Sequence, residues 1–173
     1  MKTLVLIRHA EAEEQLSGQS DFERRLTDAG RAMAARTATE LFRIQPGIVR
    51  IIASAAVRTS QTAEILRQTF TTAELVQRAD LYQASRSGYL SVLHELMSDD
   101  ENSAILIGHN PAIGNLMCTL SGQSISVTPA TAAVLERDAD SWIALRSDIR
   151  CRTAGFISEG RLIVPGSHNC GGF

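Results

Sequence analysis

Short runs of consecutive apolar residues alternate along the chain with longer stretches in which apolar residues recur every third or fourth position. Leu4-Val5-Leu6-Ile7 is the first run, and it leads straight into Arg8 and His9. A continuous run of this length predicts a strand buried on both faces of a parallel sheet. Residues 48–53 and 103–108 repeat the pattern, and 74–78 predicts a shorter strand. A helix is predicted from a Thr27 N-cap, with Ala34, Ala38 and Leu41 on its apolar side, ending at Pro46-Gly47. A second runs from a Ser54 cap to about Thr69, with Thr62, Ala63, Leu66 and Phe70 as its buried stripe. A third covers 85–98, with Leu90, Leu93, Leu96 and Met97 inward and His94 at the border as a packing or surface residue. Asn110-Pro111 predicts the start of a fourth, because Asn caps well and Pro suits the first helical position. Ile113, Leu116, Met117 and Leu120 give that helix its face, and Gly122 ends it.

The signal then weakens. Residues 131–135 and 142–145 predict two late strands joined by Asp138-Ala139-Asp140-Ser141. Residues 155–164 add a further strand, and 167–173 read as a frayed tail. Strands alternating with helices predict a layered α/β fold, with residues 1–173 forming a single domain.

Composition narrows the function. A formal charge of −2 argues against a general nucleic-acid binder, while leaving room for a local basic pocket. The three cysteines, Cys118, Cys151 and Cys170, lack metal-ligand spacing and suit free thiols in a reducing compartment. Met1-Lys2 leads directly into the first strand, so no leader is expected, and no apolar run reaches membrane-spanning length. The expectation is a soluble cytoplasmic protein that binds neither nucleic acid nor membrane.

In an open α/β sheet, ligand-binding groups stand beyond the carboxyl ends of the strands. Arg8 and His9 end the first strand, and His109 follows another in the same way. Arg58 falls near the first turn of the second helix, where it reads either as a surface arginine or as a partner of helix N–H groups for an anion. Two histidines and two arginines at one crevice form a site for a dianion. No acidic cluster is placed for Mg²⁺ and no histidine triad for Zn²⁺, so no cofactor is expected.

These residues resemble the histidine phosphatase superfamily, which has the phosphoglycerate mutase-like fold. The resemblance is carried by Leu6-Ile7-Arg8-His9-Ala10, by the stretch from Arg24 to Gly30, by Ser54 to Arg58 with Gln61-Thr62-Ala63, and by Gly108-His109-Asn110-Pro111. They occur in family order over residues 1–135. The family usually has proline after the serine of the second motif, where this chain has Ala55. The likeness implies a three-layer α/β/α fold with a mostly parallel sheet. It also implies that His9 is the nucleophile and becomes phosphorylated, with Arg8, Arg24, Arg58 and His109 as phosphate ligands. Nearby cations disfavour imidazolium, which keeps His9 neutral near pH 7.

Only 50 residues separate Arg58 from His109, which leaves no room there for a helical lid. The compact form is similar to the SixA-type phosphohistidine phosphatases, so phosphohistidine on a histidine phosphotransfer protein is the leading substrate. Asp80 lies where many relatives keep an acid, and it reads either as that acid or as an exposed loop residue. A working acid at Asp80 would favour the alternative, a small phosphomonoesterase for sugar phosphates or nucleotides. A non-catalytic phospho-ligand binder is the third reading.

Overall fold

Leu4, Val5, Leu6 and Ile7 are fully buried, as a strand covered on both faces requires. In the computed structural model, which describes residues 1–163, they lie in β1 (Lys2–Arg8). Leu4 and Leu6 belong to one core with Leu90 and Leu93 of α3 (Arg86–Leu96) and Leu116 and Met117 of α4 (Ala112–Ser121). Val5 and Ile7 belong to the opposite core, with Ala38 and Leu41 of α1 (Asp28–Ile44) and Ala63 and Leu66 of α2 (Val57–Thr69). Successive side chains of a strand point to opposite faces, so one unbroken apolar run serves both helical layers. The expected three-layer α/β/α arrangement follows from that.

The sheet has seven strands among the described residues, in the order β3-β2-β4-β1-β5-β6-β7. The remaining strands are β2 (Arg50–Ser54), β3 (Glu74–Arg78), β4 (Ser103–Gly108), β5 (Ala132–Arg137), β6 (Arg152–Ser158) and β7 (Arg161–Ile163). The first four in that order run parallel, and the last three pair antiparallel. Because β4 inserts between β2 and β1, three carboxyl ends stand side by side. The register pairs Arg8 with Gly108 and Ala53 with Ile107, so Arg8, Ser54 and Gly108 end their strands at one level.

Thr27 caps α1 as predicted, accepting from the Gly30 amide at 2.9 Å. Gly122 ends α4 in the left-handed region, at φ +68°. The late region departs from the sequence reading. Trp142–Ala144 is a 3-10 turn rather than a strand. Its indole is buried and donates from Nε1 to the Glu101 carbonyl at 2.8 Å, while the Trp142 amide donates to Asp99 at 3.2 Å. A side chain that anchors a loop in this way leaves no alternating pattern behind it. The strand expected over 155–164 is instead a hairpin, β6–β7, turned by Glu159 and Gly160 at φ +53° and +71°. The tail expected over 167–173 lies outside the described residues.

Candidate active site

His9 follows β1 and is almost completely buried. Its Nδ1 lies 2.7 Å from the Ala10 carbonyl, which can only accept, so the ring proton sits on Nδ1. Nε2 therefore carries the lone pair, and it accepts from Nε of Arg58 at 3.3 Å. Burial pushes the His9 imidazole down to about 3, and the charges of His109, Arg58 and Arg8 push the same way. Neighbouring cations thus act in the direction expected from sequence, but desolvation is the larger cause.

Arg58 sits in the first turn of α2 with 6% of its surface exposed. Arg8 is half-buried and donates from Nη1 to the Val127 carbonyl at 2.9 Å, while its buried Nε has no partner among the described residues. His109 follows β4, its ring centroid 5.2 Å from that of His9. Its backbone N–H donates to the Tyr89 hydroxyl at 3.1 Å, and that hydroxyl donates to the Leu81 carbonyl. Burial lowers the His109 imidazole to about 4, with Arg58 adding to the shift and Asp21 opposing it.

Ser54 does not cap α2, whose N-cap position is held by Ala56 without a side-chain bond. Its hydroxyl instead lies 2.8 Å from Nε2 of His109, with Thr59 Oγ1 at 3.3 Å from the same nitrogen. A hydroxyl donating to Nε2 places the His109 proton on Nδ1. That buried nitrogen has no partner among the described residues and can donate to a bound anion. Asn110 likewise does not cap α4, because Pro111 intervenes, and its amide donates to the Val127 carbonyl at 3.2 Å. Ala55, in the place of the usual proline, donates its N–H to the Arg78 carbonyl at 3.0 Å. A proline would lack that donor.

Arg8, His9, Arg58 and His109 line one crevice of about 300 Å³, together with Arg24 and Glu11. The structure thus brings together five of the six residues singled out from sequence. Asp80 is the exception. It is exposed, and both of its oxygens are held by Arg78, at 3.1 and 2.7 Å. The Arg78 guanidinium holds its carboxyl below the ordinary range, whereas a proton donor at neutral pH needs the opposite shift.

Sequence reasoning missed Asp21 and Tyr82. Asp21 opens a 3-10 turn, Asp21–Glu23, capped by Ser20 and Glu23 in a reciprocal box. Its carboxylate accepts from Arg58 and Arg24, each at 2.9 Å, and from the Tyr82 hydroxyl at 2.7 Å. The Ser20–Glu23 spacing is the one local signal of an ordered turn between β1 and α1. Tyr82 stands edge-on to the His109 ring at 5.5 Å and also lines an adjoining groove that runs past Arg86 to Asn115. Among the described residues, no group of three or more His, Cys, Asp or Glu side chains is gathered as for a metal ion. No described helix is long and apolar enough to cross a membrane.

Comparison with known proteins agrees with this geometry. Residues 4–85 match the sequence model of the histidine phosphatase superfamily (branch 1). The fold is similar to a protein from Agrobacterium tumefaciens assigned as the phosphohistidine phosphatase SixA. The TM-score is 0.77 at 25% identity, covering 91% of this chain and 97% of that one. A Nakamurella multipartita protein with the same assignment gives a TM-score of 0.74 at 25% identity, covering 91% and 95%. The protein histidine phosphatase SixA complexed with tungstate shares the fold, with a TM-score of 0.74 at 20% identity over 91% and 97%. No curated protein sequence matches the chain. The family match spans the elements that carry Arg8, His9, Arg24 and Arg58, the fold likeness extends it through His109 and the rest of the sheet, and on both grounds the chain is similar to the histidine phosphatase superfamily.

Proposed function

We propose that this chain is a phosphatase that works through a phosphorylated His9, and that its substrate is phosphohistidine on a protein. One observation carries the reading. A neutral imidazole with its Nε2 lone pair facing Arg58 shares a crevice with Arg8, Arg24 and His109, while Asp80, the acid singled out from sequence, is tied up outside it.

In the first step Nε2 of His9 attacks phosphorus, and the bond from phosphorus to the leaving nitrogen breaks. Charge on the transferring oxygens is met by Arg8, Arg58 and the Nδ1–H of His109. These donors are fixed before the reaction, so they stabilise the transition state without reorganising. In the second step water attacks the phosphorylated His9, phosphate leaves, and the imidazole returns neutral. A leaving imidazole, with an ordinary pKa near ~6.5, departs readily once protonated, whereas an alkoxide needs a positioned acid. The likeness to SixA-type proteins supports the same substrate.

The test is a side-by-side measurement of kcat/KM on a phosphorylated histidine phosphotransfer protein and on a panel of alkyl phosphates. The phosphoprotein should be preferred by orders of magnitude. Preference for an alkyl ester would overturn the reading.

A further inference from the structure

Asp21 has no part in the chemistry just proposed, yet it sits among the groups that perform it. A carboxylate in a site meant for a dianion repels the substrate, so its presence calls for a reason. Oδ1 accepts from Nη1 of Arg24 at 2.9 Å. Oδ2 accepts from Nη2 of Arg58 at 2.9 Å and from the Tyr82 hydroxyl at 2.7 Å. The Asp21 carbonyl accepts from Nη1 of Arg58 at 2.6 Å. One residue thereby takes both terminal nitrogens of a single guanidinium.

A guanidinium is planar, with its donors in fixed directions. Fixing Nη1 and Nη2 from one side fixes the plane, and with it the direction of Nε–H. That third nitrogen is the one 3.3 Å from Nε2 of His9. Asp21 is itself held by the Ser20–Glu23 capping box, and Tyr82 lies within 5.9 Å of the Arg58 guanidinium carbon. These donors hold the carboxyl far below the ordinary range, the Tyr82 hydroxyl first, so Asp21 keeps its charge.

We infer that Asp21 is a positioning residue for phosphoryl transfer, whose carboxylate and carbonyl hold the Arg58 guanidinium in the plane that presents Nε–H to His9. The inference rests on the phosphatase reading of the crevice. Two effects then oppose each other. The Asp21 charge weakens binding of any anion, in ground state and transition state alike. The orientation it imposes on Arg58 aims Nε–H at the space beside Nε2 of His9, where it meets a phosphoryl oxygen only as His9 bonds to phosphorus and its lone pair no longer accepts. A merely structural aspartate would produce no such split.

The experiment uses inorganic phosphate as the ground-state probe and vanadate as the transition-state probe. Affinities are measured by calorimetry for wild type, Asp21→Ala, Arg58→Ala and the double variant, alongside kcat and KM. In wild type, vanadate should bind more tightly than phosphate. In Asp21→Ala, phosphate binding should be unchanged or tighter, and the preference for vanadate should fall about tenfold. KM should not rise, while kcat should fall about 10- to 100-fold. In the Arg58→Ala background, the Asp21 substitution should change the preference by less than about twofold, since coupled residues are not additive. Asp21→Asn, which keeps the side-chain shape and loses the charge, should move the preference in the same direction if the alanine variant folds poorly. An unchanged preference in both Asp21 variants, or an equal loss with and without Arg58, overturns the inference. Both probes are inorganic, so this outcome does not depend on which substrate the enzyme takes. Wild type inactive on phosphohistidine would sink the proposed function while the vanadate preference still reports on Asp21.

Discussion

Nε–H of Arg58 donates to Nε2 of His9 across 3.3 Å, so the nitrogen with the free lone pair faces a cation before any substrate arrives. The same guanidinium can pass from the lone pair to a phosphoryl oxygen once phosphorus occupies that space. His9→Ala should therefore lose turnover by at least ~10³ while melting within a few degrees of wild type, since His9 lies beyond the last strand residue. Arg58→Ala should cost ~10²–10³ in rate, as for loss of one charge-stabilising donor. Labelling with an alkaline denaturing quench checks the first claim: wild type should yield a base-stable, acid-labile phosphoprotein, and His9→Ala none.

Ser54→Ala tests the His109 tautomer. The Ser54 hydroxyl is completely buried, 2.8 Å from Nε2 of His109, and it already accepts from the Ala56 amide. Its own proton is therefore free for Nε2. Without it, the His109 proton is no longer confined to Nδ1, and the bound phosphoryl loses a donor for part of the time. Turnover should fall about tenfold, with kcat affected more than KM. A loss confined to KM would show that Ser54 does not act through His109.

The two imidazoles also set a stability profile. Burial holds His9 at about 3 and His109 at about 4, whereas in the unfolded chain each protonates near ~6.5. Between those limits the unfolded state binds more protons, so their contribution is full above about pH 6.5 and is lost as pH falls toward 4 and below. Thermal melts from pH 8 to 4 should show that decline, and it should be shallower in His9→Ala. In NMR titrations the His9 and His109 ring signals should stay in their neutral positions down to pH 5. An inflection near 6.5 for either ring would contradict its burial.

Gly108 links the core to the site. A Cβ there would overlap the Tyr89 hydroxyl, and that hydroxyl accepts from the His109 N–H while donating to the Leu81 carbonyl. Tyr89 is fully buried and cannot swing away. Gly108→Ala should destabilise the fold by about 1–3 kcal/mol, as overpacking does, and should lower activity more than the melting shift accounts for. Urea denaturation and rates on the same preparation check both parts.

The apolar runs of β1 and β4 were legible in the sequence because a strand buried on both faces has no polar alternation to dilute it. Arg8, His9 and His109 were legible because they follow those runs directly. Asp21 was not, since its partners Arg58 and Tyr82 lie 37 and 61 residues away and no local pattern encodes the meeting. Ser54 was misread for a related reason. A serine before a helix looks like a cap, and its actual partner is 55 residues on. Trp142 shows the limit of periodicity, because one amphipathic anchor carries no period at all.

Asp80 separates phosphoramidate from ester chemistry. An alkoxide must be protonated as it departs, and a positioned acid is worth ~10²–10⁴ in rate. A carboxylate bound at both oxygens by Arg78 is held in the charged form and has no proton to give at neutral pH. The pair is exposed, and such pairs contribute about 0–1 kcal/mol. Asp80→Asn should thus leave the melting temperature nearly unchanged. Hydrolysis of a phosphohistidine protein should stay within a few-fold of wild type, because the leaving imidazole does not depend on that proton. Alkyl phosphate hydrolysis should be slow in both proteins. The ester must be an alkyl one, since para-nitrophenol departs without help and would hide the loss. If Asp80→Asn instead cut alkyl phosphate turnover by 10² or more, Asp80 would have to leave Arg78 during the reaction, and the enzyme would be an esterase.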